Sequence, residues 1–493
     1  MAYETYEEKQ RTIADPSDEG GASLRPLRDA VFRHRFLFLA LTCYWAWQLS
    51  FFQSPLAVLP VDGMSPVPLS ALLLLGASLL TYLFVYREDA RMASWAARRR
   101  YLVLIGVCMA GGTAAQGLSP LASGTAGAIL CDGGSAAMGV GAALFVVEAG
   151  RVFAQLGPRL ALLLGVASIF SGVVLLLGAS LAPWCGRIVL LALAALAAVV
   201  FLRGARRPFP KKRFYAWGLE EKVRFPVKLA LTCFVQGVAL GLMSLLSGEA
   251  GAGYAGEMSL LSALAFALGA MLIFATAGTS KMDFNHLLYQ LGFSLMGLGF
   301  LAHVCLPGNA MAASFLFAVA HCYVYVLMTC ICSYFSNCLK CSPGWIVSLT
   351  TLCMVAGQML AAILAAAPCT VASSVPVAVS GAMAFLMPTV ALLLLSNDNP
   401  VSGWGAIRPG ARKEDGEGAL FAKIASDYGL TARETEVTEY LARGRNKRVI
   451  SQELGLAEET VKTHMGNVYR KLLVHSQQEL IDLVEAERDA RDR

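Results

Sequence analysis

Between Arg443 and Lys471 the chain carries seven Lys/Arg against three Asp/Glu, interleaved with short hydrogen-bonding side chains. Lys462, Thr463 and Asn467 are types that contact base edges or nearby phosphates, while Lys447, Arg448, Arg470 and Lys471 are cations suited to neutralising phosphate oxygens. From Leu420 to Arg493 the totals are twelve basic and thirteen acidic residues, so positive charge is local rather than general. The chemistry these residues support is binding to a polyanion. No nucleophile with a recognisable base and no phosphate-cradling glycine loop accompanies them, so the expectation is a non-enzyme with no cofactor and no metal.

A second set of polar groups lies inside long apolar segments: Gln48, Gln53, Gln116, Asp132, Arg187, Gln236, Gln358, His303 and His321. Polar and ionisable groups at such depth are costly in a bilayer and are functional candidates by default. Taken singly they can simply hydrogen-bond helix to helix. As a group, with Gln48, Gln116, Asp132, Arg187, Gln236, His303 and His321 foremost, they suggest a polar cavity open to the outside that senses a small molecule. Asp132 and Arg187 both fall near the outer face and could form a salt bridge. Thirteen cysteines are scattered mainly through the apolar spans. Cys322, Cys330, Cys332, Cys338 and Cys341 cluster, and Cys338 and Cys341 make a C-x-x-C spacing, open to a reading as reduced thiols or as a redox or metal sensor.

The elements that must carry these groups follow from pattern. The chain has 493 residues, of which 56% are hydrophobic and 15% charged, with a mean hydropathy of +0.58. A soluble domain carries about 25% charged residues. Here charge crowds into the first 35 residues, a few loops and the segment after Asn397, and the rest falls into apolar runs of the length a helix needs to cross a bilayer. Twelve such spans are expected, from 36–53 to 375–395, the glycine-rich fourth (128–148) being the least regular. Residues 1–35 are too polar for a cleavable signal peptide and read as a disordered cytoplasmic extension. Lys and Arg fall in alternate loops, which places both termini in the cytoplasm.

The basic loop at 204–226 divides the spans into halves, 36–203 and 227–396. Leu39-Ala-Leu-Thr-Cys43 recurs as Leu229-Ala-Leu-Thr-Cys233 at the start of the second half, which suggests duplication. Two parallel six-helix repeats resemble the layout of the major facilitator superfamily. The loop Arg87 to Trp95 is longer than that family's signature loop and lacks its glycines. Residues 397–419 change to Asn, Asp, Pro, Gly and charge and read as a linker; if flexible, its reach is roughly 25–30 Å.

From 420 to 493 the pattern is helical and soluble. Thr431 with Glu434 and Ser476 with Glu479 form capping boxes, and Asn446 is a favourable cap for a helix from Lys447 to Leu454. Gly455 supplies a turn before a helix from about Glu458 to Leu473, the order of a helix-turn-helix. Val437, Leu441, Ile450, Leu454, Val461, Val468 and Leu472 recur at helical spacing as a small core. Leu430-Thr-Ala-Arg-Glu434, Val437, Leu441-Ala, Gly444, Ile450, Leu454-Gly-Leu456, Thr460-Val-Lys-Thr-His464, Asn467, Lys471-Leu472 and Val474 resemble the LuxR/NarL/FixJ-type DNA-binding domain. That resemblance implies base contacts at Lys462, Thr463 and Gly466 and draws Asn446, Thr460 and His464 into the DNA-binding set. Gly466 has no side chain to read a base, Ala457 stands where a capping Ser or Thr is usual, and Leu473 replaces a glycine. The last helix presents Leu480, Ile481 and Val484, which can pair two domains on a two-fold DNA site or pack on their own domain; pairing is favoured.

The expected fold is all-α: a polytopic bundle of about twelve transmembrane helices plus a C-terminal four-helix domain. The expected function is a multi-pass regulator of the inner membrane, with double-stranded promoter DNA, the lipid bilayer, an unidentified small molecule and a second copy as partners. The alternative is a major-facilitator-like transporter with a regulatory DNA-binding tail.

Overall fold

The structure is a computed structural model that describes residues 25–51, 69–209, 214–215, 227–248, 255–279, 283–284, 286–306, 309–337, 341–366, 375–394, 420–421, 424–425, 427–442, 444–454 and 457–492. The expected N-terminal extension to residue 24, most of the basic loop, Gln53, Cys338, Gly455 and the linker lie outside the described residues. Among the described residues every regular element is helical.

Long apolar segments fold as helices because a helix satisfies its backbone polar groups within the segment, without water. Among the described residues, eleven helices are long and apolar enough to cross a membrane, by length and composition. Preceding them, a short helix, α1 (Arg25–Arg33), leads into α2 (Arg35–Phe51), whose 17 residues cover most of the expected first span and are largely buried. The helices that follow are α3 (Leu69–Arg87), the loop helix α4 (Asp89–Ala96), a third span made of α5 (Arg99–Gly106), a π turn (Val107–Gly111) and α6 (Gly112–Leu118), then α7 (Thr125–Leu156), α8 (Pro158–Ser180) and α9 (Trp184–Ala205). The second set is α10 (Val227–Gly248), α11 (Ala255–Thr279), a π segment (His286–Gly292) continuing into α12 (Phe293–Cys305), α13 (Ala310–Asn337), α14 (Pro343–Ala366) and α15 (Val375–Leu394).

The two sets pack alike. In the first, α2 lies on α8 and α9, α3 on α7, and α6 on α7 and α9. In the second, α10 lies on α14, α11 on α13, and α12 on α13 and α15. The sets meet where α3 crosses α14 and α8 crosses α11, contacts that exchange with each other when the halves are swapped, and where α7 meets α13. The repeated Leu-Ala-Leu-Thr-Cys segments occupy α2 and α10, the matching first helices. The glycines of the fourth span have a packing reason: a Cβ on Gly134 would lie 2.7 Å from the Gly112 carbonyl oxygen of α6, so the backbones touch.

The C-terminal part has its own core. Helices α16 (Ala432–Ala442), α17 (Lys447–Leu454), α18 (Glu458–Leu472) and α19 (Gln477–Asp492) enclose Val437, Leu441, Ile450, Val461, Val468 and Leu472, with Leu454 packed at the edge. Leu420, Phe421 and Ile424 join this core from upstream of the capping box.

Candidate nucleic-acid interface and membrane cavity

Three of the four helix starts in the C-terminal domain carry a side-chain cap at the residue the sequence marks. The Glu434 amide donates to Thr431 Oγ1 (3.3 Å) while the Thr431 amide donates to Glu434 Oε2 (2.8 Å), a reciprocal cap. The Val449 amide donates to Asn446 Oδ1 (3.1 Å), so Asn446 caps α17. The Glu479 amide donates to Ser476 Oγ (3.2 Å), but the Glu479 carboxylate reaches one residue further back than expected, to the His475 amide (2.8 Å). Gln477 Nε2 donates to the Leu441 and Arg445 carbonyls (2.9 and 3.0 Å), fastening α19 to the end of α16.

This frame leaves one face of α18 open. Thr460, Lys462, Thr463, Gly466 and Arg470 are exposed, and His464 and Asn467 are half-buried beside them. A Cβ at Gly466 would meet nothing within 4 Å. Lys462 rests 3.7 Å from Glu459, Lys447 3.5 Å from Glu458, and Arg470 donates to Asn467 Oδ1 (3.1 Å). Such exposed pairs are weak and exchange readily for phosphate contacts. Arg445, at the turn before α17, is exposed beside Lys447 and Arg448 and joins the basic rim; its place in the Arg443–Arg448 charge run was the signal for it.

Several expected roles change. Lys471 Nζ donates to Glu434 Oε2 (2.7 Å) and to the Gly429 carbonyl (2.9 Å), so its charge clamps α18 to α16 instead of facing outward. This hydrogen bond, with the Thr431 amide, holds the Glu434 carboxyl at about 2. Asn446 spends its side-chain oxygen on the helix cap. Leu480 and Val484 are corrected from a pairing surface to core: both are buried within their own domain, because the i, i+4 stripe of α19 is what closes it, and Ile481 is half-buried at its edge. Ala457 makes no side-chain cap to α18, and Leu473 ends that helix in the left-handed region at φ 55°, with 82% of its surface exposed.

In the membrane bundle the expected sensing residues do not converge. Gln116 Nε2 donates to Ser135 Oγ (3.1 Å) between α6 and α7, and His303 Nδ1 pairs with Ser380 Oγ (3.0 Å) between α12 and α15. His321 is buried among the rings of Phe266, Phe317 and Tyr325. Gln48 is half-buried on α2, in none of these pairs. The salt bridge expected between Asp132 and Arg187 is not formed: the Arg187 guanidinium donates to the Ser180 carbonyl (2.9 Å), and Asp132 is half-buried on α7. Gln116, His303 and Arg187 thus each find a serine partner, the first two across a contact between helices. Of the set, Gln236 alone lines the cavity described next.

That cavity lies between the two sets of helices and is apolar, not polar as expected. About 930 Å³ of empty space, part of it open solvent, is walled by α2, α7, α8, α10, α13 and α14. Tyr44 stacks on Phe145 (4.5 Å between centroids), and Trp45 meets Tyr325 edge-on (5.4 Å). The Cys233 thiol points at Met328 Sδ (3.7 Å), and Cys332 at Thr350 Oγ1 (3.3 Å). Its aromatic residues come in ones and twos from α2, α7 and α13, which only packing brings together, so no local pattern in the sequence marks this wall.

Beside the cavity a network of charge joins the halves. Ser333 Oγ and Asn337 Nδ2 of α13 donate to the Phe153 and Ala154 carbonyls of α7 (both 2.9 Å). Arg151 lies 3.4 Å from Asp89 and 3.2 Å from Glu148, whose other oxygen is 2.6 Å from Arg206. Asp89 also accepts a hydrogen bond from the Ser342 hydroxyl at the start of α14. A Cβ at Gly344 would collide with Asp89 and approach Arg151 Nη2 to 2.7 Å, so this contact requires glycine. The sequence signal was Glu148 and Arg151 three apart at the end of an apolar span. Nearby Cys341 is buried, which pushes its thiol up to about 12 and keeps it protonated; among the described residues no three His, Cys, Asp or Glu group as a metal site.

Residues 429–484 match the family of bacterial regulatory proteins described as luxR. The chain is 42% identical over 62 residues to an uncharacterized response regulatory protein of Escherichia coli (strain K12), YgeK, a match covering 13% of this chain and 42% of that one. It is 41% identical over 56 residues to the Fimbriae Z protein of Salmonella typhimurium, covering 11% and 27%. The chain thus spans less than half the length of these relatives. Among solved structures, the major facilitator superfamily proton:xylose symporter XylE bound to 6-bromo-6-deoxy-D-glucose is similar over 75% of this chain and 95% of its own, with a TM-score of 0.50 and 13% identity. The partially occluded inward-open form of XylE from E. coli gives 0.52 and 13% over 74% and 97%. At such identities the likeness is one of fold. The C-terminal segment is a luxR-family helix-turn-helix domain, and the membrane part has a major facilitator fold.

Proposed function

We propose that this chain is a membrane-embedded one-component transcription regulator: its bundle binds a small molecule between the halves, and its C-terminal domain binds promoter DNA. The observation that carries the reading is the free face of α18, where Lys462, Thr463, Gly466 and Arg470 are exposed beside Arg445, Lys447 and Arg448. A second helix of a helix-turn-helix meets the major groove through such a face. The excess of Arg in alternate loops supports a multi-pass protein of the inner membrane with both termini cytoplasmic, which puts the domain beside the chromosome. A ligand that favours one arrangement of the halves shifts the bundle between states by its difference in affinity for them. Two copies pairing on a two-fold site would use surface other than Leu480 and Val484. Mapping the DNA occupied in cells by the whole chain and by Lys462→Ala tests the reading. One lost base contact costs about 1–3 kcal/mol, so occupancy of unsaturated sites should fall about five- to 150-fold, and unchanged occupancy by the variant would sink it.

A transporter with a regulatory tail is the second reading, favoured by the fold and the central cavity. Saturable solute uptake by vesicles holding the full chain would support it.

A further inference from the structure

The cavity between the halves has a chemistry that narrows what can enter it, resting on the reading of the bundle as a ligand-binding unit. Among the described residues no Asp, Glu, Lys, Arg or His lines it. The wall is aromatic (Tyr44, Trp45, Phe145, Tyr325) and soft (Cys233, Met328). A charged ligand entering it would shed its water with no counter-ion to receive it, a cost of several kcal/mol. One polar group stands apart: Gln236, 1% exposed, lines the cavity with its side-chain nitrogen buried and without a hydrogen-bond partner. A buried donor left unmade is expensive, and a ligand acceptor would satisfy it.

We propose that this cavity receives an uncharged, largely apolar molecule, which lies against the Tyr44, Trp45 and Tyr325 rings and accepts a hydrogen bond from the Gln236 amide. With no Asp, Glu, His, Lys or Arg among the described residues of the wall, no carboxylate or imidazole stands there to take a proton in step with the ligand, as suits a sensor more than a pump.

The test uses the purified full chain in lipid nanodiscs without DNA and four probes of one size: 2-acetylnaphthalene (neutral, with an acceptor), 2-ethylnaphthalene (neutral, without one), 2-naphthoate (anion) and 2-naphthylmethylammonium (cation). The ketone should bind saturably and at least about tenfold tighter than either ion. Gln236→Leu should weaken the ketone about tenfold and leave the hydrocarbon unchanged, a ratio that a misfolded variant, losing both, cannot imitate. Gly165→Leu, whose Cβ has ordinary room 3.8 Å from Val326, fills the cavity and should abolish both neutral probes. An ion bound as tightly as the ketone, equal losses of ketone and hydrocarbon in Gln236→Leu, or no saturable binding of either neutral probe would overturn the proposal. Because no DNA is present, these results stand apart from the occupancy test of Lys462→Ala.

Discussion

The bundle and the C-terminal domain use charge in opposite places. In the bundle, Glu148 and Arg151 are almost wholly buried and tied to Asp89 and Arg206, so charge holds inner surfaces together. In the domain, Arg445, Lys447, Arg448, Lys462 and Arg470 lie outside, with only loose carboxylate or amide partners. A buried pair is costly to break, because the survivor is stranded away from water. An exposed one costs little and leaves its cation free for a polyanion. The first arrangement suits an element with two discrete states, the second a surface that docks and leaves.

The contrast is tested most severely at Arg151. Replacing it with methionine keeps much of the bulk but leaves Asp89 and Glu148 short of a cation in a dry site. The expected loss is roughly 3–5 kcal/mol, read as earlier heat-induced loss of monodisperse protein. Asp89→Asn should act differently, loosening α4 from α14 and raising the rate at which a maleimide labels Cys233 and Cys332. If Arg151→Met melts with the parent protein, the buried network is not what holds the halves.

The domain has one buried exception to its outward charge, the Lys471 clamp on Glu434. The Glu434 carboxyl, held at about 2 chiefly by that hydrogen bond, titrates near 4.5 once unfolded. A depressed carboxylate contributes stability that is present above pH 4.5 and lost as pH falls towards 2. A shift of this size corresponds to at most roughly 3–4 kcal/mol. The protection of α16 and α18 amides against hydrogen exchange in the full chain, taken relative to the intrinsic rate at each pH, should fall across that window, and Lys471→Met should remove most of this pH dependence. Equal acid sensitivity in the variant would place the clamp among surface pairs.

Legibility differed between the regions for a physical reason. In the domain, local hydrogen bonds set the helix starts, so Thr431, Glu434, Asn446 and Ser476 could be read from adjacent residues. Lys471 could not, because its partner lies 37 positions away and only packing brings them together. Leu480 and Val484 were ambiguous since one apolar stripe serves pairing or closure equally well. In the bundle, length and hydropathy marked the spans, and the loop charges divided them. The cavity wall escaped, being assembled from aromatic residues of α2, α7 and α13 that only packing brings together, and Gln236 stood out only because polar residues are rare there.

A smaller effect separates the end of α18 from its face. Leu473 holds a left-handed backbone with its side chain in solvent, so nothing offsets the strain. Leu473→Gly should stabilise the domain by about 1 kcal/mol, measured as slower exchange of α18 amides. DNA occupancy should be unchanged, since residue 473 lies beyond the exposed positions of the helix face. A destabilised variant would mean that the exposed leucine has a partner, such as a second copy.

Gly466 gives the weakest effect on stability and the sharpest division between folding and docking. It sits in the interior of α18 with open space where a Cβ would stand. Alanine there should stabilise the helix by roughly 0.5–1 kcal/mol, because glycine loses more backbone freedom on folding. If the face docks in a groove, that open space is where DNA comes close, and one methyl group should weaken binding even as the fold gains. A variant both more stable and no worse at occupying DNA would show that Gly466 faces nothing in the complex. A variant more stable and weaker on DNA would place the groove against residues 462 to 470, and would distinguish a surface built for contact from one that merely carries charge.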